Sequence, residues 1–180
     1  TLEEVRCFVG NGIRKLIDRA VPEGTSVEKT DKVFATFREY YATHSRVKTS
    51  MYEGMEQVMD ALKEQNISMA IVSNKADDAV KDLAKYYFAK YIDVAIGERE
   101  GISRKPAPDS VYEAMRLLGA TKENTVYVGD SDVDRATAKN AGIPCVSVTW
   151  GFRSEELLVS LEPEYLIHKP EEILSVVTGK

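Results

Sequence analysis

After Arg46 the chain alternates short apolar segments with amphipathic segments, and this alternation limits its fold more than any other feature. Five short runs are rich in β-branched and apolar residues, as strands are: 67–72, 92–96, 125–128, 144–148 and 165–168. Helical periodicity precedes the first run, at 53–65, and fills intervals between later ones, at 76–88, 109–118 and 133–141. Strands that alternate with helices predict an α/β fold built on a doubly wound parallel sheet.

The first part of the chain carries helical signals only. Thr1 with Glu4 and Thr25 with Glu28 match the capping-box pattern that begins a helix. A helical segment of this size buries little core by itself, so we expect it to pack on another part of the protein. The predicted organisation is a small helical domain at 1–47, incomplete at its N-terminus, and an α/β core at 48–180.

The charge pattern excludes several classes of protein. The 180 residues carry a formal net charge of −5, with both signs interspersed, whereas a nucleic-acid surface needs clustered Lys and Arg. No apolar run approaches the roughly 20 residues of a membrane span, and no signal peptide opens the sequence.

Cys7 and Cys145 are isolated thiols that suit a reducing cytoplasm, and we expect both to be buried.

Ser73 and Asn74 follow the strand predicted at 67–72. Ligands of such sheets bind beyond the carboxyl ends of the strands, so this hydroxyl and amide are candidates for substrate contacts. Ser is also a favoured residue at helix N-termini, which bind anions themselves, so Ser73 can both cap a helix and bind a ligand. By itself the pair does not decide between the two roles.

Lys105 precedes Pro106 and stands shortly before the helix predicted at 109–118. Proline stiffens the backbone next to a side chain that is usually mobile, and a compact ammonium suits neutralisation of a phosphoryl group. The structural alternative is a solvated loop lysine beside Arg104.

Three aspartates, Asp130, Asp132 and Asp134, follow the strand predicted at 125–128. Carboxylates this close repel one another unless a cation neutralises them, and hard oxygen ligands suit Mg2+. Gly129 allows close approach of the backbone to such a site. A turn followed by a helix cap is the alternative, since Asp is favoured in both, but the cluster favours a metal.

The order Ser-Asn, then Lys-Pro, then Gly-Asp-x-x-x-Asp, each after its own strand, is more specific than any one motif. It resembles the second, third and fourth motifs of the haloacid dehalogenase superfamily, over about residues 50–180. The helical start resembles the four-helix-type cap of that family. Within the family, residues 8–12, 52–55 and 148–151 are similar to those of phosphoglycolate phosphatases.

The resemblance implies a magnesium-dependent phosphatase, a phosphoric monoester hydrolase acting on a small phosphorylated metabolite. Ser73 would bind the phosphoryl group with Asn74 at the same edge. Lys105 would bind both the phosphoryl oxygens and the nucleophile, and so offset their repulsion. Asn11, in the cap loop, would face the substrate.

The fourth motif of the family binds the metal. By resemblance, Asp130 would bind Mg2+ directly, and Asp134 directly or through water. Asp132 would be a solvated turn residue.

The family's first motif, Asp-x-Asp-Gly-Thr, supplies the aspartate nucleophile and the general acid and base. These 180 residues do not contain it, because each Asp-x-Asp sequence falls within 130–134. We therefore expect the chain itself to be inactive. We also expect a gap in the sheet, where the first strand would lie between the strands ending at Ser73 and Asp130. A partner that completes the sheet, or self-association, would follow from such a gap.

Other functions remain open. A signalling receiver domain shares these residue types, but its acidic pair comes first in the chain. A non-catalytic fragment that binds phosphate and metal fits the sequence as written. A sugar-phosphate mutase or a pyrophosphatase of the same superfamily would carry the same motifs, so the sequence leaves the substrate undetermined.

Overall fold

The computed structural model describes residues 1–179, and it divides into two compact units. The first unit is Thr1–Ser50, and the second begins at Met51. The sequence predicts the boundary between residues 47 and 48. In the described part of the chain no helix has the length and apolar character needed to cross a membrane.

The first unit consists of the helices α1 (Leu2–Phe8), α2 (Gly12–Ala20) and α3 (Val27–His44). The capping box of α1 is confirmed: the Glu4 N–H donates to the Thr1 hydroxyl, and the Glu4 carboxylate accepts from Thr1 in return.

The cap predicted for α3 was wrong by one residue. The side chain of Ser26 accepts from the Lys29 N–H and caps the helix, while the Thr25 hydroxyl donates to the Pro22 carbonyl at 2.6 Å. Two adjacent hydroxyl residues are equally good caps by type, and only the path of the backbone selects one of them. Cys7, expected to be buried, lies exposed on α1, whereas Cys145 is buried as expected.

The second unit alternates helices and strands, which confirms the α/β fold class. Its elements in chain order are α4 (Met55–Glu64), β1 (Met69–Ala76), α5 (Asp77–Tyr87), β2 (Ile92–Glu98), α6 (Asp109–Leu118), β3 (Tyr127–Gly129), α7 (Asp132–Ala141), β4 (Cys145–Val148), α8 (Glu155–Ser160), β5 (Tyr165–Ile167) and α9 (Glu172–Thr178). A short 3-10 helix, Lys122–Asn124, precedes β3.

The strands form two parallel sheets rather than one. β1 pairs with β2, and β4 lies between β3 and β5. Within residues 1–179 no strand pairing joins β1 to β3. This separation agrees with the gap that the sequence predicts between the strands ending near Ser73 and Asp130.

Two apolar clusters hold the second unit together. One lies among α6, α7, β3 and β4 and contains Val111, Met115, Tyr127, Ala138, Ala141, Ile143 and Cys145; Val72 of β1 packs against it. The other lies among α4, β4, β5 and α9 and contains Val58, Leu62, Val146, Val148, Ile167 and Ile173. Burial of a large apolar side chain contributes about 1.5–3 kcal/mol, so these clusters fix the strand ends that carry the polar residues.

Candidate active site

The side-chain amide of Asn74 joins the second motif to the third. Its Nδ2 donates to the Lys105 carbonyl at 3.0 Å, and its Oδ1 accepts from the Lys105 N–H at 2.8 Å. Asn74 is 7% exposed, so these bonds lie away from most solvent. The amide therefore holds the backbone of Lys105 from both sides, and the predicted contact between Asn74 and a phosphoryl group stays a prediction.

The ammonium of Lys105 joins the third motif to the fourth. Nζ lies 2.8 Å from Oδ1 of Asp134 and 2.9 Å from the hydroxyl of Tyr127. The Lys105 and Asp134 side chains are only 11% and 10% exposed. The charge of this lysine is thus confined to one place, unlike that of a solvated loop lysine.

The carboxylate of Asp134 accepts four hydrogen bonds. Oδ1 accepts from Lys105 and from the Tyr127 hydroxyl at 3.0 Å, and Oδ2 accepts from the Ser131 hydroxyl at 2.6 Å and the Asp130 N–H at 3.2 Å. Burial raises the pKa of Asp134, but the charge and hydrogen bond of Lys105, together with the hydrogen bonds from Ser131 and Tyr127, outweigh it, so the pKa lies below its ordinary value. A carboxylate offers about four lone-pair positions, and all of them are occupied here.

Tyr127 belongs to the site, although no pattern in the sequence indicates it. Burial and then the charge of Asp134 raise its pKa well above the ordinary value, so the hydroxyl stays protonated. It donates to Asp134 and accepts from Lys105. In the sequence Tyr127 reads as an apolar strand residue, and only its position beside two distant residues reveals the polar role.

Asp130 is the carboxylate best suited to a cation. Burial raises its pKa, and the charge of Asp134 raises it further, against the lowering effect of the Phe152 N–H. That N–H donates to Oδ2 at 2.5 Å. An ionised Asp130 is costly in this environment unless positive charge approaches it.

Two glycines allow the acidic residues to approach the backbone closely. A Cβ added to Gly129 would lie 2.3 Å from Cβ of Asp134, and one added to Gly151 would lie 2.1 Å from Cβ of Asp130. Both distances are far below van der Waals contact. The predicted need for a glycine at Gly129 is confirmed. Gly151, in the loop after β4, is needed for the same reason, since a larger residue there would collide with Asp130.

Two local expectations need correction. Asp132 is about half exposed, in line with a solvated residue, but it begins α7 instead of standing in a turn, and its carboxylate pairs with Arg153 at 2.9 Å. Ser73 does not cap a helix, because β1 continues to Ala76 and α5 begins at Asp77 without a side-chain cap. The Ser73 hydroxyl accepts from the Lys75 N–H at 3.1 Å, and its contact with a phosphoryl group stays a prediction.

Asn11 lies in the first unit, at the N-terminus of α2. Its Oδ1 accepts from Arg19 at 2.8 Å. A substrate contact by Asn11 stays a prediction.

Among the side chains that the structure describes, no group of three or more His, Cys, Asp or Glu forms a complete metal site. Mg2+ does not require one, since it commonly keeps several waters and is held by one or two carboxylates together with phosphate oxygens. The half-buried carboxylate of Asp130 fits such an ion by its charge and its hard oxygen. Asp134 is less suited to bind the ion directly, because its two oxygens already accept four hydrogen bonds.

The matching family model describes haloacid dehalogenase-like hydrolases and covers residues 1–148. The chain belongs to this family. Among relatives in it, a provisionally assigned pyrophosphatase PpaX of Caldanaerobacter subterraneus subsp. tengcongensis is 32% identical over 98% of this chain and 79% of its own length. Phosphoglycolate phosphatase 1 of Pseudomonas aeruginosa is 30% identical over 96% of this chain and 65% of its own length.

Solved structures of haloacid dehalogenase-like proteins share the fold. A provisionally assigned phosphoglycolate phosphatase of Lactobacillus delbrueckii subsp. bulgaricus superimposes with a TM-score of 0.94 at 30% identity, covering 100% of this chain and 84% of that protein. The family resemblance that the three motifs predict is therefore confirmed.

Proposed function

We propose that this haloacid dehalogenase-like chain serves a magnesium-dependent phosphatase that hydrolyses a small phosphorylated metabolite, with a phosphoglycolate-like ester as the leading class. The reaction proceeds through an aspartyl-phosphate whose nucleophile is not among these 180 residues. The observation that carries the proposal is the ammonium of Lys105, held by Asp134 and Tyr127, with Ser73 inside β1 and Asp130 directly after β3. The relative named phosphoglycolate phosphatase supports the substrate class.

The residues divide the work by their chemistry. Lys105 neutralises charge on the phosphoryl oxygens and on the attacking carboxylate, and the Ser73 hydroxyl donates a hydrogen bond to the same group. Asp130 holds Mg2+, which when bound offsets charge on the transferred phosphoryl group. Asp134 orients Lys105, and contact with the metal, directly or through water, would require it to give up one of the four hydrogen bonds that it now accepts.

The helical segment 1–47 is proposed as the cap that encloses the substrate, with Asn11 among the residues that face it. A substrate as small and charged as a phosphorylated two-carbon acid needs polar groups beyond the phosphoryl site for recognition.

Pyrophosphate hydrolysis is a second candidate, supported by the relative named pyrophosphatase PpaX. Lys105, Ser73 and Asp130 would bind the phosphoryl group of a phosphoanhydride as well as that of an ester. A sugar-phosphate mutase would use the same set with a different acceptor for the phosphoryl group.

A substrate comparison tests the proposal. A protein that joins these residues to an Asp-x-Asp-Gly-Thr strand is assayed with phosphoglycolate, pyrophosphate and a sugar phosphate, with Mg2+ and with a chelator. We expect Mg2+-dependent release of phosphate, greatest with phosphoglycolate. A preference for pyrophosphate would select the second candidate, and no turnover of any of the three would overturn the phosphatase proposal.

A further inference from the structure

Tyr127, the first residue of β3, closes a triangle of hydrogen bonds with Lys105 and Asp134. Its hydroxyl accepts from Nζ of Lys105 at 2.9 Å and donates to Oδ1 of Asp134 at 3.0 Å, while Nζ and Oδ1 are themselves 2.8 Å apart. The tyrosine is 7% exposed and packs in the apolar cluster of α6, α7 and β3. A hydroxyl fixed by a buried ring gives the lysine an acceptor that does not move.

This fixed acceptor matters because a lysine side chain is flexible. Asn74 fixes only the backbone of Lys105, and the four-carbon stem beyond it still has many rotamers. Two of the three N–H bonds of the ammonium are directed at Tyr127 and Asp134, and the third has no acceptor in the described part of the chain. The N–H bonds of an ammonium keep a tetrahedral arrangement, so fixing the directions of two of them also fixes the direction of the third.

We propose that Tyr127 is a positioning residue that directs this third N–H of Lys105 toward the transferred phosphoryl group. The proposal rests on the phosphatase function and deepens it. Tyr127 acts through Lys105 and touches neither the substrate nor the metal. Asp134 alone would leave the ammonium free to rotate about a single contact, whereas two acceptors hold it in one orientation.

The variant Tyr127→Phe tests the role of the hydroxyl, because it keeps the ring and its packing. Tyr112→Phe is a matched control: the Tyr112 ring faces Lys122 Nζ at 5.2 Å, but its hydroxyl contacts the carbonyls of Asn140 and Ala141 rather than a lysine. Both variants are made in the protein that carries the Asp-x-Asp-Gly-Thr strand, and kcat, KM and Tm are measured with phosphoglycolate and Mg2+.

For Tyr127→Phe we expect kcat to fall about tenfold to a hundredfold with little change in KM, since a small misplacement of a catalytic group acts on the transition state. Tyr112→Phe should keep both constants, and Tyr127→Phe should also lower Tm slightly, because it removes a buried hydrogen-bond partner of Lys105 and Asp134. A merely structural role would lower Tm and leave kcat intact. A kcat for Tyr127→Phe within twofold of the parent value would overturn the proposal.

A second measurement does not depend on turnover. Limited acetylation of the 180-residue chain, followed by mass spectrometry, compares the reactivity of Lys105 with that of Lys122 as an internal standard. Loss of one hydrogen bond should raise the relative rate at Lys105 about fivefold in Tyr127→Phe and leave it unchanged in Tyr112→Phe. An unchanged rate in Tyr127→Phe would overturn the positioning role. If no phosphoester is hydrolysed by the parent protein, the phosphatase function fails, and this rate alone decides whether Tyr127 positions Lys105.

Discussion

The ammonium of Lys105 lies 2.8 Å from Oδ1 of Asp134, across 29 positions of the chain. The ion pair connects the loop before α6 with the first turn of α7, and both side chains are nearly enclosed. Removing one partner of such a pair leaves an uncompensated charge in a poorly solvated place. Loss of either charge, including the charge of Lys105 that the proposed reaction needs, should therefore destabilise the second unit.

Replacement of Lys105 should affect turnover more than replacement of Ser73. In a protein that carries the first motif, Lys105→Ala should lower kcat by about a thousandfold, because a positioned cation stabilises the transferred charge. Ser73→Ala should cost about tenfold, since it removes one neutral hydrogen bond. Lys122→Ala, on the 3-10 helix, serves as the control in steady-state assays. If both site variants keep turnover within about a factor of two, the site assignment is wrong.

Magnesium should bind the 180-residue chain weakly. Asp130 supplies one carboxylate, Asp134 is saturated with donors, and most of an octahedral shell is left to water. Calorimetry should detect tight binding only when a phosphoryl mimic and a peptide carrying the Asp-x-Asp-Gly-Thr turn are added. Asp130→Asn should abolish that binding. Micromolar affinity of the bare chain for Mg2+ would contradict the assignment.

Without metal, Asp130→Asn should stabilise the fold at neutral pH. The folded-state pKa of Asp130 is raised by burial and by Asp134, so the wild-type chain loses stability as pH rises from the ordinary carboxyl pKa through the raised value. The asparagine keeps an oxygen for the Phe152 N–H and does not titrate.

Urea unfolding of both proteins, from about pH 3 to about pH 7, measures the effect on the free energy of unfolding. The advantage of Asp130→Asn should grow with pH across that window and then stay constant. An advantage that shrinks as pH rises would show that the carboxylate of Asp130 is stabilised in the fold.

Gly151→Ala should disrupt the site. The added Cβ would lie 2.1 Å from Cβ of Asp130, so the loop after β4 must move, at a cost of about 3 kcal/mol. Gly101→Ala is the control, because its φ of +81° strains an alanine by about 1 kcal/mol but no atom lies within 4 Å of the new Cβ. Thermal unfolding compares the two variants, and equal losses would contradict the close approach of Gly151 to Asp130.

The chain of 180 residues should show no phosphatase activity by itself. Ser73 has no base near it in its motif, and the acids of the fourth motif serve Lys105 and the metal. Adding a synthetic peptide from a relative, with the strand and its Asp-x-Asp-Gly-Thr turn, should restore turnover by filling the space between β1 and β3. A scrambled peptide is the control. Hydrolysis of phosphoglycolate by the bare chain at ordinary enzyme rates would refute the mechanism.

The main polar residues and the order of elements could be predicted from the sequence, except for α8 and α9, which were not predicted. Ser73 and Asp130 are recognisable because each follows an apolar run, and the carboxyl ends of parallel strands carry ligand sites. Lys105 is recognisable by the proline that follows it. The helix at Asp109–Leu118 was predicted with its observed bounds. Such features depend on residues close together in the chain, where spacing and residue type carry the information.

The sequence by itself determined the α/β fold class, the family and the positions of the polar residues, although β1 extends to Ala76 and does not end at residue 72 as predicted. Only the tertiary structure decided how those residues contact one another: that Asn74 holds the backbone of Lys105, that Tyr127 and Asp134 hold its ammonium, and that Gly151 lies against Asp130. A hydrogen bond depends on distances of tenths of an ångström between groups that are far apart in sequence. Residue spacing cannot specify such distances, because they result from the packing of the whole unit.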